Sequence, residues 1–166
     1  MGFRSRFLWT GPIFLACWLA DQATKRMAAA WLKDAPPRSY WGDLFRLEYA
    51  ENNGAFLSLG SNLPESVRFW VLTMAIGVAM IAVVLYAFCA RRIAPRVLVG
   101  LALLAGGGLG NWFDRVVFNG YVIDFMNLGI GGLRTGIFNV ADLLIEAGAV
   151  VLIWDAFKGR GDARSS

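Results

Sequence analysis

The sequence predicts an all-α membrane protein, one domain over residues 1–166 built as a bundle of four transmembrane helices with a small extracytoplasmic β-structure. Three observations predict it. Hydrophobic residues make up 57% of the chain, above the roughly 45–50% of soluble domains. Phe7 to Ala20, Phe69 to Ala90 and Val97 to Phe113 carry no charged residue, and Gly136 to Trp154 is interrupted only by Asp142 and Glu146. About 20 residues cross hydrocarbon as a helix; Phe69 to Ala90 suffices alone, the others once their polar ends are included. The predicted helices cover residues 7–31, 69–90, 97–115 and 137–155, with an external β segment at 38–60.

The first helix ends before Pro36-Pro37. Its outer third carries Asp21, Thr24 and Lys25, and Asp21 and Lys25, four apart, share a face. In the external segment Phe45, Leu47 and Tyr49 alternate with Arg46 and Glu48, the pattern of a half-buried strand, and Asn53-Gly54 is a turn signal. Tyr40, Trp41 and Trp70 suit an interfacial belt. Asn62 and Glu65 have the spacing of a capping box before the second helix. Gly106-Gly107-Gly108 and Gly110 let backbones approach along one face of the third; without a preceding strand or a following Lys-Ser/Thr, they are no phosphate loop. Val116 to Thr135 forms the second external connection.

Charge sets the orientation. Arg4, Arg6, Arg91, Arg92, Arg96, Lys158, Arg160 and Arg164, half of the 16 basic residues, fall on one side of this arrangement and face only Asp155 and Asp162 there. The positive-inside rule makes that side, with both termini, cytoplasmic. The net charge of +4 therefore reports topology and contact with anionic membrane lipid, and no nucleic-acid partner is expected. Arg4 and Arg6 before an apolar run ending in Leu15-Ala16-Cys17 also fit a signal peptide, but the run continues through Trp18 and Leu19. Cys17 and Cys89 lie in apolar spans and read as small buried hydrophobes. No histidine occurs, which excludes Ser-His and Cys-His catalysis and the usual zinc protease sites. Carboxylates, lysine, serine and tyrosine remain as catalysts.

Carboxylates within a bilayer are expensive, roughly 2.5–3.5 kcal/mol at a helix centre on insertion scales, and mark function by default. Asp21, Asp114, Asp124 and Asp142 all fall toward the outer face. Asn111, Asp114 and Arg115 form one helical patch and Asn139, Asp142 and Glu146 another. Ion pairing accounts for Asp21 with Lys25 and for Asp114 with Arg115 and Asn111. No base is left for Asp124, in Tyr121-Val122-Ile123-Asp124-Phe125, or for Asp142. Two carboxylates close together in a low dielectric share one proton, so one can activate water while the other hydrogen-bonds a carbonyl.

Read in order, Asp21-Gln22-Ala23-Thr24-Lys25, Asn52-Asn53-Gly54-Ala55, the run from Gly106 to Arg115, Val122-Ile123-Asp124-Phe125 and Phe138-Asn139-Val140-Ala141-Asp142 resemble the five sequence blocks of the lipoprotein signal peptidases, or signal peptidase II. The resemblance implies a four-helix membrane bundle with a β-cradle and a short external helix. It implies Asp124 and Asp142 as the catalytic pair, with Asp21, Lys25, Asn52, Gly54, Asn111, Asp114, Arg115, Asn139 and Ala141 shaping or supporting the site. It implies an aspartic endopeptidase of the bacterial inner membrane, working near the outer face without metal or cofactor. Its partners are prolipoproteins cut just before a diacylglyceryl-modified cysteine, and the chain is expected to act as a monomer.

This chain departs from the pattern in two places. Phe56-Leu57 follows Gly54-Ala55 where small and then aromatic residues are usual, and Glu146 is an extra acid, expected to pair with Lys25 or Arg115. Three other functions fit parts of the pattern: a small ion or proton transporter using the same acids, a serine-lysine protease of Ser58 and Lys25, and a non-catalytic lipoprotein-binding relative.

Overall fold

The computed structural model describes residues 3–55, 60–90 and 93–162. Phe56, Leu57, Ser58, Arg91, Arg92 and Arg164 lie outside the described residues, as do the side chains of Arg4, Arg6 and Arg160. Four long helical segments dominate: α1 (Phe3–Leu32), α2 (Glu65–Cys89), α3 (Pro95–Val117) and α4 (Val140–Asp162). Strands β1 (Arg38–Tyr40), β2 (Phe45–Asn52), β3 (Val122–Ile130) and β4 (Leu133–Arg134) make one antiparallel sheet in the order β1-β2-β3-β4. By length and composition α2 and α3 can cross a membrane. The outward faces of the helices carry Leu15, Leu19, Val78, Ile81, Leu85, Val150, Ile153 and Trp154, all exposed, a surface that water would not favour.

Helix α3 is the hub, and its glycines explain why. A side-chain carbon on Gly106 would meet Cys17 Cβ of α1 at 2.7 Å, one on Gly107 would strike Ala141 O of α4, one on Gly108 the Met80 sulfur of α2, and one on Gly110 the Asp21 carboxylate of α1. The glycines therefore serve three neighbours rather than the single face expected from their spacing. Both α2 and α4 pack on α3 but scarcely touch each other, so the bundle is open along the flank between them.

Helix α2 starts without the expected capping box. Pro64, not Asn62, precedes its first turn, with extended backbone and no side-chain cap. Arg68 replaces the box by donating from Nη1 to Ser61 O and Leu63 O, at 3.0 and 2.9 Å. Phe69–Ala75 is a π-helical stretch inside α2, and Trp112 Nε1 donates to its Thr73 O at 2.9 Å. Such turns are uncommon and often lie beside functional sites.

The sheet rests on the end of α1, where Leu47, Tyr49, Met126 and Val140 pack against Ala28, Leu32 and Phe125. The predicted strand is β2, which pairs with β1 and, across the chain, with β3. Asn53-Gly54 turns the chain but closes no hairpin, because β2's other neighbour comes from beyond α3. The β1–β2 turn passes through left-handed Trp41, Gly42 and Asp43. Asp43 fixes it, accepting from Arg46, Ser39 and Arg134; hydrogen bonds from Arg46 and then Ser39 hold its carboxyl well below the usual carboxylate range. Among the described residues no separate external helix appears.

Candidate active site

All the site residues expected from the sequence converge where α1, the C-terminal end of α3 and the N-terminal end of α4 meet β2 and β3. Polar residues there are buried: Asp21, Lys25, Asn111, Asp114, Arg115, Asp124 and Asn139. At the other end of the bundle Arg96 pairs with Asp155.

Two carboxylate arrangements share this layer. In the first, Lys25 Nζ lies 2.9 Å from Asp21 Oδ2 and 2.9 Å from Asp114 Oδ2, with all three side chains at most 2% exposed. Its remaining proton goes to Asn111 Oδ1 at 2.8 Å. Asp114 thus takes its charge partner from α1; Arg115, expected to pair with it, donates instead to Asn111 O and Gly54 O, at 3.2 and 2.7 Å. Adjacent helical residues point about 100° apart, so Asp114 and Arg115 could not share a face. Gln22 completes the cluster, donating to Asp114 Oδ1 at 2.9 Å and to Asp21 Oδ2 at 3.2 Å. Sequence reasoning gave Gln22 no role; its signal is the three-residue spacing to Lys25, which puts both on one face.

The second arrangement holds Asp124 and Asp142, and neither has an ion-pair partner among the described residues. Amides hold them instead. Asp124 accepts from Asn52 Nδ2 at 2.9 Å and Asn139 Nδ2 at 2.6 Å. Asp142 accepts from Asn111 Nδ2 at 2.9 Å and Asn139 N at 3.0 Å. Asn139 Oδ1 accepts from Asp142 N at 3.1 Å, which makes Asn139 and Asp142 the reciprocal cap of α4. Ala141 N of the same turn donates to Asp21 Oδ1 at 3.0 Å, tying the two arrangements together. Asn52 Oδ1 also takes Gly54 N at 2.8 Å, which aims Gly54 O at Arg115.

Asp124 is held at the strand position opposite Ala50 and is 2% exposed. Burial is the main cause that pushes its carboxyl up to about 6; the nearby Asp142 adds to the rise, and the Asn52 and Asn139 hydrogen bonds oppose it. Asp142, by contrast, is half-buried at the first turn of α4, where the unpaired N–H groups of a helix start favour an anion. Glu146 does not make the expected tie. Lys25 is already shared by two aspartates, and Glu146 is exposed, without an ion pair to Lys25 or Arg115.

A buried carboxyl that holds its proton up to about pH 6, near a second carboxyl at a helix N-terminus and without an ion pair to either among the described residues, is an arrangement that acid–base hydrolysis can use. Residues 13–158 match the family described as Signal peptidase (SPase) II, and the chain belongs to that family; it is a bacterial membrane protein and a protease. It is 38% identical over 171 residues to the lipoprotein signal peptidase of Sphingopyxis alaskensis, covering 98% of this chain and 96% of that one. The Francisella tularensis lipoprotein signal peptidase is 38% identical over 137 residues, 81% of this chain and 82% of its own. A bacterial membrane enzyme solved by the in meso method at 2.3 Å superposes with a TM-score of 0.78 at 26% identity, covering 92% of this chain and 90% of that one. Another, at 1.9 Å, gives 0.74 at 27% identity, covering 90% and 92%.

Proposed function

We propose that this chain removes signal peptides from diacylglyceryl-modified bacterial prolipoproteins, cutting on the N-terminal side of the lipidated cysteine, with Asp124 and Asp142 as the catalytic pair. The observation that carries the mechanism is the base-free pair of carboxylates held by Asn52, Asn111 and Asn139. Asp142, ionised, takes a proton from a water, and the resulting hydroxide attacks the scissile carbonyl carbon. Asp124, protonated, donates to the carbonyl oxygen as negative charge develops there. Collapse of the tetrahedral intermediate breaks the C–N bond, and the proton held by Asp142 passes to the leaving amine of the cysteine. Arg115 Nε, buried without a hydrogen-bond partner, has a donor to offer the substrate backbone.

The same proposal sets the chain in the inner membrane as a four-helix span with both termini cytoplasmic and the site near the outer face. The basic Arg96 and Lys158 near one end and the carboxylate layer at the other support that orientation. Lipid on the substrate fits the opening between α2 and α4, where acyl chains stay in hydrocarbon while the peptide reaches the acids. One chain carries both acids, which supports a monomer. The test is cleavage of a lipidated preprotein by the purified protein. The expected result is one cut before the modified cysteine, none on the unmodified preprotein, and none by Asp124→Asn. Equal cleavage of the unmodified preprotein would overturn the substrate assignment.

A further inference from the structure

Glu146 is the one acid of α4's outer half that the mechanism leaves unused. It follows Asp142 by one helical turn, about 5.4 Å deeper, and four residues advance the helix by about 400°, so it is turned roughly 40° further outward. Gly107 marks the face of α3 turned to α4, and Gly108 the face turned to α2. Asn111 and Arg115 fall between those directions, buried beneath the flank where α2 and α4 scarcely meet. Asn111 bonds Asp142, so Asp142 points into that opening, and Glu146 stands on its lip. Its neighbours on the outward face are Leu143, Val150 and Ile153, all exposed and apolar. A carboxyl exposed on such a face within the bilayer is unfavourable unless a polar group meets it.

We propose that Glu146 is a specificity-determining residue that hydrogen-bonds a hydroxyl-bearing side chain of the signal peptide just upstream of the cut. This rests on the function proposed above. The bond to be cut must lie at Asp142, and the signal peptide must run from there toward the cytoplasmic side along the lip of the same opening. One turn of depth corresponds to about four residues if that stretch is helical, at 1.5 Å each, and to about two if it is extended, at 3.3 Å each. Serine or threonine suits the contact because a hydroxyl both donates and accepts.

The experiment uses the full chain in detergent and diacylglyceryl-modified preprotein peptides carrying Ser or Leu at each of the second to fifth residues before the cut. The wild type should prefer Ser at one of these positions by about three- to tenfold in kcat/KM, the span of one net hydrogen bond. Glu146→Leu should lose that preference while cutting the Leu peptides at least as fast as wild type, and Glu146→Gln should keep part of it. The same Ser/Leu ratios in wild type and Glu146→Leu at every position would overturn the proposal. Glu146→Leu failing on every peptide would overturn it too, by placing the residue in the common machinery. If the wild type cuts none of them, the function beneath the proposal falls instead.

Discussion

Asp21 and Asp114 on one side, Asp124 and Asp142 on the other, are the same residue type in the same layer, yet their partners differ in kind. The first two share Lys25 at 2.9 Å and are sealed from solvent; one ammonium bridges both and offsets part of their charge, and their geometry joins α1, α3 and the start of α4. Among the described residues the second two have only amide donors, and one of them is half-buried at the open flank. A carboxylate matched to a cation is stable and inert. A pair held by neutral donors has no cation to fix its charge, which is what the proposed proton exchange requires. The partner, rather than the acid, assigns the role.

Removing the cation should therefore be the most damaging change to the fold. Lys25→Met leaves two buried carboxylates facing each other, and loss of one member of a buried ion pair costs about 3–5 kcal/mol. The expected outcome is a protein that fails to accumulate or unfolds well below the wild type in a thermal-shift measurement. Gly110→Ala tests the same cluster from α3. Its new carbon would strike the Asp21 carboxylate, and overpacking of this kind typically costs about 1–3 kcal/mol.

On the catalytic side, Asn52→Ala removes a hydrogen bond that favours the ionised form of Asp124. Its carboxyl should rise above about 6, and the alkaline limb of kcat/KM should move to higher pH. Stability against pH gives an independent reading. Asp124 binds its proton more tightly folded than unfolded, so its contribution is complete below the ordinary carboxylate range, near pH 4, and is lost as pH rises through about 6. Denaturant unfolding should show that decline in wild type and a flatter profile in Asp124→Asn. The smallest effects are expected from Ser58→Ala and from a metal chelator, neither of which should change the cleavage rate.

How legible this was in the sequence depends on the range of each interaction. Helices α1 to α4 follow from local apolar runs, and the β-prone stretch about Asp124 was visible because its pattern is also local. The pairing of β2 with β3 and the sharing of Lys25 by Asp114 were not, since each joins segments far apart in the chain. Local spacing instead offered Arg115 to Asp114 and a capping box to Asn62, and both lost: the first to side-chain direction, the second to Pro64. Gln22 passed unnoticed because a neutral side chain near the membrane raises little alarm, and Glu146 was given a cation that two other acids already hold.

The central claim, that the base-free pair does chemistry and the Lys25 cluster holds structure, is tested most directly by measuring cleavage of a lipidated preprotein alongside thermal stability in Asp124→Asn, Asp142→Asn and the double variant. Each single change should cut activity by roughly 10⁴-fold or more while the protein stays folded, and the double variant should be no worse than either, because residues acting as a unit are not additive. An Asp124→Asn protein that is folded and cleaves at a rate near wild type would contradict the account.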